Sequence, residues 1–170
     1  MAEKKESYII STIVEHKPGV LYQVSNMFRR RGFNIETITV GESEQAGLAR
    51  MTITINGDEK TVEQVVKQLN KLLDVVKVSI LDPEVTVTRE LALIRINTPN
   101  AAVRSDVINY TEIFKGRVVD VAHDSLLVEM TGDSDKITAF IELMRTFGVK
   151  EIARTGITAL PRGMRSTKLE

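Results

Sequence analysis

The chain has 170 residues, 42% hydrophobic and 27% charged, with 23 basic and 23 acidic side chains. That is ordinary globular composition, enough for one large domain or two small ones, and a zero net charge gives no bulk attraction to nucleic acid or to a membrane surface. Cysteine is absent, which excludes disulfides and thiolate chemistry. No apolar run approaches the roughly 18 residues of a spanning helix. Residues 1–6 are charged and lack the apolar core of a signal peptide, so a cytoplasmic protein is expected.

Residues 8–15 are rich in β-branched side chains and end at Lys17-Pro18-Gly19, which reads as a strand leaving into a turn. The period then changes: Val20, Leu21, Val24, Met27 and Phe28 fall on one helical face, with Gln23, Asn26, Arg29 and Arg30 opposite. Pro18 suits the first turn of that helix and Gly32 its C-cap. Residues 35–40 read as a second strand, residues 41–47 as a polar hairpin loop, and Met51, Ile53 and Ile55 as the inward side of a third strand. Asp58 is placed to cap a second helix, with Val62, Val65, Val66, Leu69, Leu72 and Leu73 as its stripe. Val76, Val78 and Ile80 then alternate as a fourth strand. The order is βαββαβ, the ferredoxin-like unit.

Residues 82–90 read as a linker, after which the same order returns more faintly: strands over 91–96, 118–121, 126–130 and 149–153, helices over 103–114 and after the caps at 133–135, and a loose tail from Pro161. The fold class is therefore α+β, two tandem ferredoxin-like units over 1–81 and 91–170.

Enzymatic constellations are missing. His16 and His123 have no neighbour at metal-ligand spacing, there is no Gly-rich phosphate loop, and the carboxylates are evenly spread. No catalytic residue and no metal ligand is assigned. The candidate central strand over 48–53 has no aromatic side chain, so RNA binding is not expected, and Arg29-Arg30-Arg31 reads as a solvated helix end. What remains is a constellation for a small ligand. Gly19 lets a ligand approach a helix start whose free N–H groups attract a carboxylate, and Asn34 offers a donor and an acceptor. Read from the residues alone, a turn at Gly19 and a loop end at Asn34 explain the same pattern equally well. Gly41 likewise reads as a bulge or a close backbone approach.

His16-Lys17-Pro18-Gly19-Val20-Leu21, Arg31-Gly32-Phe33-Asn34-Ile35-Glu36 and Ala49-Arg50-Met51-Thr52-Ile53 resemble the ACT domain of the small, regulatory subunits of acetolactate synthase. Arg89-Glu90-Leu91-Ala92-Leu93-Ile94, Thr111-Glu112-Ile113-Phe114-Lys115-Gly116 and Glu151-Ile152-Ala153-Arg154-Thr155-Gly156 extend the resemblance past the linker. It implies a non-catalytic chain that binds and activates a catalytic large subunit, dimerises through its ACT domains, and confers feedback inhibition by valine or another branched-chain amino acid. Thiamine diphosphate, Mg2+ and FAD would belong to the large subunit, with no cofactor on this chain. The resemblance places the effector between two protomers and nominates Gly19, Val20, Asn34 and Ile35 as the pocket, with Thr39, Gly41 and Gln64 associated with effector response. His16 stands where an asparagine is common in the family, which bears on effector strength or preference.

Overall fold

A computed structural model describes residues 6–163 and Thr167. It divides into two compact units: the described residues up to Val87 together with those from Ile157 onward, and Thr88–Gly156 between them.

In the first unit the alternation of residues 6–15 becomes strand β1 (Glu6–Glu15), followed by helix α1 (Val20–Arg31), strands β2 (Thr37–Glu42) and β3 (Leu48–Gly57), helix α2 (Glu59–Leu69) and strand β4 (Val75–Leu81). The strands form one antiparallel sheet in the order β2-β3-β1-β4, so β2 and β4 are its edges. Period-two alternation puts Ile10 and Val14 of β1 and Met51, Ile53 and Ile55 of β3 on the face covered by both helices. Val20, Val24 and Phe28 of α1 and Val62, Val65 and Leu69 of α2 complete that core. Fully burying such a side chain contributes roughly 1.5–3 kcal/mol, so this layer dominates the stability of the unit. Asp58 caps α2 by accepting from the Thr61 N–H at 2.8 Å, and Gly32 ends α1 in the left-handed conformation at φ 68°, both as read from the sequence.

The second unit repeats the plan with β5 (Thr86–Asn97), α3 (Ala101–Ile113), β6 (Arg117–Val121), β7 (Ser125–Gly132), α4 (Ser134–Arg145) and β8 (Val149–Arg154), in the order β6-β7-β5-β8. Ile94, Ile96, Val128 and Met130 pack under Val107, Ile137, Phe140 and Met144. The repeat extends to single hydrogen bonds. Glu15 and His16 donate their N–H groups to the Asp74 and Gly47 carbonyls, and Asn97 and Thr98 donate theirs to Gly148 and Asp124. Glu90, 5% exposed on β5, is held by the Arg154 guanidinium and by Ser134 Oγ at 2.6 Å.

Several local readings change. Residues 82–90 are not a plain linker: a 3-10 turn at Pro83–Val85 leads straight into β5 at Thr86, with Asp82 accepting from the Glu84 N–H. A ninth strand, β9 (Thr158–Pro161), pairs with β5, and Ile157 and Ala159 pack with Ile9 and Leu81. The last described segment thus belongs with the first unit, not with the second as the boundary at 91–170 had it. The expected loose tail from Pro161 falls partly outside the described residues; Arg162 donates its N–H to Val85, and Thr167 is buried against Arg50. Strand β2 starts two residues later than expected and runs through Gly41 to Glu42 without a register shift, so Gly41 is no bulge. Leu73 lies beyond the end of α2 and is 96% exposed, so the apolar stripe stops short of it.

Candidate effector site

The loop from β1 into α1 is built around Gly19. Helix α1 starts at Val20, so Pro18 lies in the turn ahead of it and not in its first turn as expected. Gly19 is the N-cap, at φ 92°, a backbone conformation that disfavours any residue with a Cβ. Its carbonyl accepts the Gln23 N–H at 3.0 Å, and no side chain caps the helix. The first-turn N–H groups, at the positive end of the helix dipole, are therefore left available to an anion. The equivalent helix of the second unit differs: Asn100 caps α3 with its own side chain, accepting from the Val103 N–H at 3.0 Å. The same place in the repeat is open in one unit and self-closed in the other.

A clamp that the sequence did not disclose holds the open loop. Lys17 Nζ sits 2.6 Å from both Glu15 and Asp74, and the Asp74 side chain is 9% exposed. The hydrogen bond to Asp74, then that to Glu15, pushes the Lys17 ammonium up to about 12. Since Asp74 lies between α2 and β4, 57 residues along the chain, no local pattern could have paired it with Lys17.

The nominated residues do not meet within one chain. His16, Gly19 and Val20 stand at the N-terminal end of α1, whereas Asn34 and Ile35 follow its C-terminal end. Twelve helical residues hold the two groups about 18 Å apart. The two sequence segments are thus opposite ends of one element, and joining them in one pocket takes a second chain. Val20 is buried and Ile35 packs against the core from a half-buried position, while Gly19 and Asn34 are exposed. Asn34 donates its side-chain amide to Glu36 at 2.8 Å, leaving its carbonyl oxygen as the free acceptor. Thr39 is engaged within the chain, donating to the Ile157 carbonyl at 2.9 Å. Gly41 is exposed near the end of β2, one residue before Glu42, whose carboxylate lies 4.0 Å from His16 Nδ1. Gln64 is exposed on α2. The nominated positions therefore lie on edge strand β2, at both ends of α1 and, for Gln64, on α2. Among the described residues there is no cluster of three His, Cys, Asp or Glu side chains able to hold a metal ion, and no helix long and apolar enough to cross a membrane.

The βαββαβ order, with one antiparallel sheet in the order β2-β3-β1-β4, makes the first unit a ferredoxin-like domain. Residues 10–77 match the family model described as the AHAS small subunit-like ACT domain, and residues 89–163 match that of the small subunit of acetolactate synthase. The chain is 59% identical to a probable acetolactate synthase small subunit of Methanothermobacter thermautotrophicus, over 95% of this chain and 96% of that one. It is 48% identical to the acetolactate synthase small subunit of Aquifex aeolicus, over 92% and 82% of the two chains. The crystal structure of the acetolactate synthase small subunit from Thermotoga maritima superposes with a TM-score of 0.87 at 46% identity, covering 93% of this chain and 98% of that one. The chain belongs to the acetolactate synthase small-subunit family.

Proposed function

We propose that this chain is the regulatory partner of a catalytic acetolactate synthase large subunit: it activates that subunit and makes it sensitive to valine or another branched-chain amino acid, without catalysing the reaction itself. Membership of the small-subunit family makes a large-subunit partner the natural counterpart. Thiamine diphosphate, Mg2+ and FAD are assigned to that partner, and the complex to the cytoplasm.

The observation that carries the effector reading is the uncapped start of α1 at Gly19, set against the self-capped start of α3 at Asn100. An amino acid supplies what that start lacks, a carboxylate for the N–H groups of the first turn. Its ammonium is assigned to the free Asn34 carbonyl oxygen of a second protomer, and its branched side chain to the apolar surface beside Val20 and Ile35. A pocket built from two ACT domains makes binding favour one arrangement of the dimer, which the large subunit senses through its contacts with the small one. A coupling of about 1–3 kcal/mol changes activity by roughly five- to 150-fold.

Reconstitution tests this. Adding the chain to a large subunit is expected to raise acetolactate formation, and valine to lower it again. Gly19→Asp, which sets a carboxylate at the helix start, is expected to keep the activation and lose the valine response. Equal loss of activation and of valine response would make the loop structural and overturn the assignment.

A further inference from the structure

We propose that the groove between α1 and α2 is a second ligand site, for a small polyanion carrying phosphoryl or several carboxylate groups. The groove lies on the helix side of the first unit and has a volume of about 280 Å³. Arg30 and Arg31 reach it from α1 and Lys71 from the end of α2, and no acidic side chain lines it. Gln23, Asn26 and Gln68 add three side-chain amides, while Met27 and Leu72 supply apolar lining.

None of these six polar side chains makes a side-chain hydrogen bond or an ion pair with a described residue. Some other surface cations do find carboxylates, as Lys67 finds Glu63, Arg145 finds Glu142 and Lys150 finds Asp124. The dipole of α1 accounts for cations in its last turn. The dipole of α2 likewise favours Lys71, which follows the Asn70 C-cap of that helix, but neither dipole accounts for three unengaged amides converging on the same hollow. Three uncompensated charges around a concave surface raise the local potential for anions, and two guanidinium groups offer the planar forks that suit phosphoryl and carboxylate oxygens. The volume lies just below the range of roughly 300–1,000 Å³ for small-molecule sites, so the occupant is compact. The three cations are all exposed and carry no internal partner, so neutralising them leaves the fold intact.

The test is calorimetric titration of the full chain at low ionic strength with inorganic pyrophosphate and, separately, citrate, which distinguishes phosphoryl from polycarboxylate preference. The parent protein and two double variants are compared. Arg30→Gln with Lys71→Gln removes two groove charges; Arg89→Gln with Lys115→Gln removes two charges elsewhere. Saturable binding of either probe at one site per chain is expected, weakened about tenfold or more by the groove variant and unchanged by the other. Amide chemical-shift changes on addition of the probe are expected to gather on residues 22–31 and 68–72. Absence of saturable binding, equal weakening in both variants, or shifts centred on residues 16–20 would each overturn the proposal.

Discussion

At the scale of single residues, two charges carry consequences that can be measured. Glu90 is almost wholly buried, and the Arg154 guanidinium and Ser134 are what compensate it. Removing the cation strands a carboxylate in a poorly solvated place, which costs far more than the net worth of the pair. Arg154→Met is therefore expected to lower unfolding stability by about 3 kcal/mol in denaturant titration. A loss under about 0.5 kcal/mol would mean that the pair behaves as a solvated surface bridge. Lys17 differs because its held state is the protonated one. Asp74 and Glu15 raise its folded pKa from the ordinary 10.5 to about 12, so its contribution is complete below the unfolded value and disappears as pH rises through about 12. The stability difference between the parent and Lys17→Met should stay constant at neutral and mildly alkaline pH and shrink across that window. A difference that ignores pH there would mean that the ammonium is not held by the two carboxylates.

At the scale of elements, the two first helices of the repeat form a natural control. Helix α3 has Asn100 as a cap, so Asn100→Ala is expected to destabilise the second unit by about 1 kcal/mol, read by thermal or denaturant unfolding. Helix α1 has no such side chain to lose, which is why ligand binding is expected to stabilise it instead. An Asn100→Ala protein as stable as its parent would remove the contrast on which the open site rests. Most elements were legible because their signals are local. The 3.6-residue stripe through Val24 and Phe28, the cap at Asp58 and the stop at Gly32 each state their role within a few positions. What was misread depends on distant partners. β5 begins at Thr86 rather than after a linker because the late segment of β9 pairs with it, some 70 residues along the chain. Four residues ending in Pro161 leave too short a pattern to read as a strand. Strand β2 starts at Thr37 because Asn34 and Glu36 bond to each other in the turn ahead of it.

At the scale of the whole molecule, Gly19 and Asn34 read equally as parts of a ligand site or as a turn and a loop end. The Lys17–Asp74 clamp was illegible because its partners lie 57 residues apart. The helix read between Pro18 and Gly32, by contrast, already set Gly19 and Asn34 a helix length apart, as α1 does. The same separation makes the central claim testable, since a pocket that needs both Gly19 and Asn34 must draw them from different protomers. In a symmetric dimer each chain gives Gly19 to one pocket and Asn34 to the other. Gly19→Asp and Asn34→Ala chains, each purified alone, are then expected to lose valine binding. Mixed and re-equilibrated, they form heterodimers in which one pocket carries both lesions and the other carries none. The decisive measurement is calorimetric valine binding by that mixture. Random pairing predicts that about a quarter of the parental sites return at parental affinity. Valine binding that stays absent after mixing, in chains shown to have exchanged, would contradict the shared pocket.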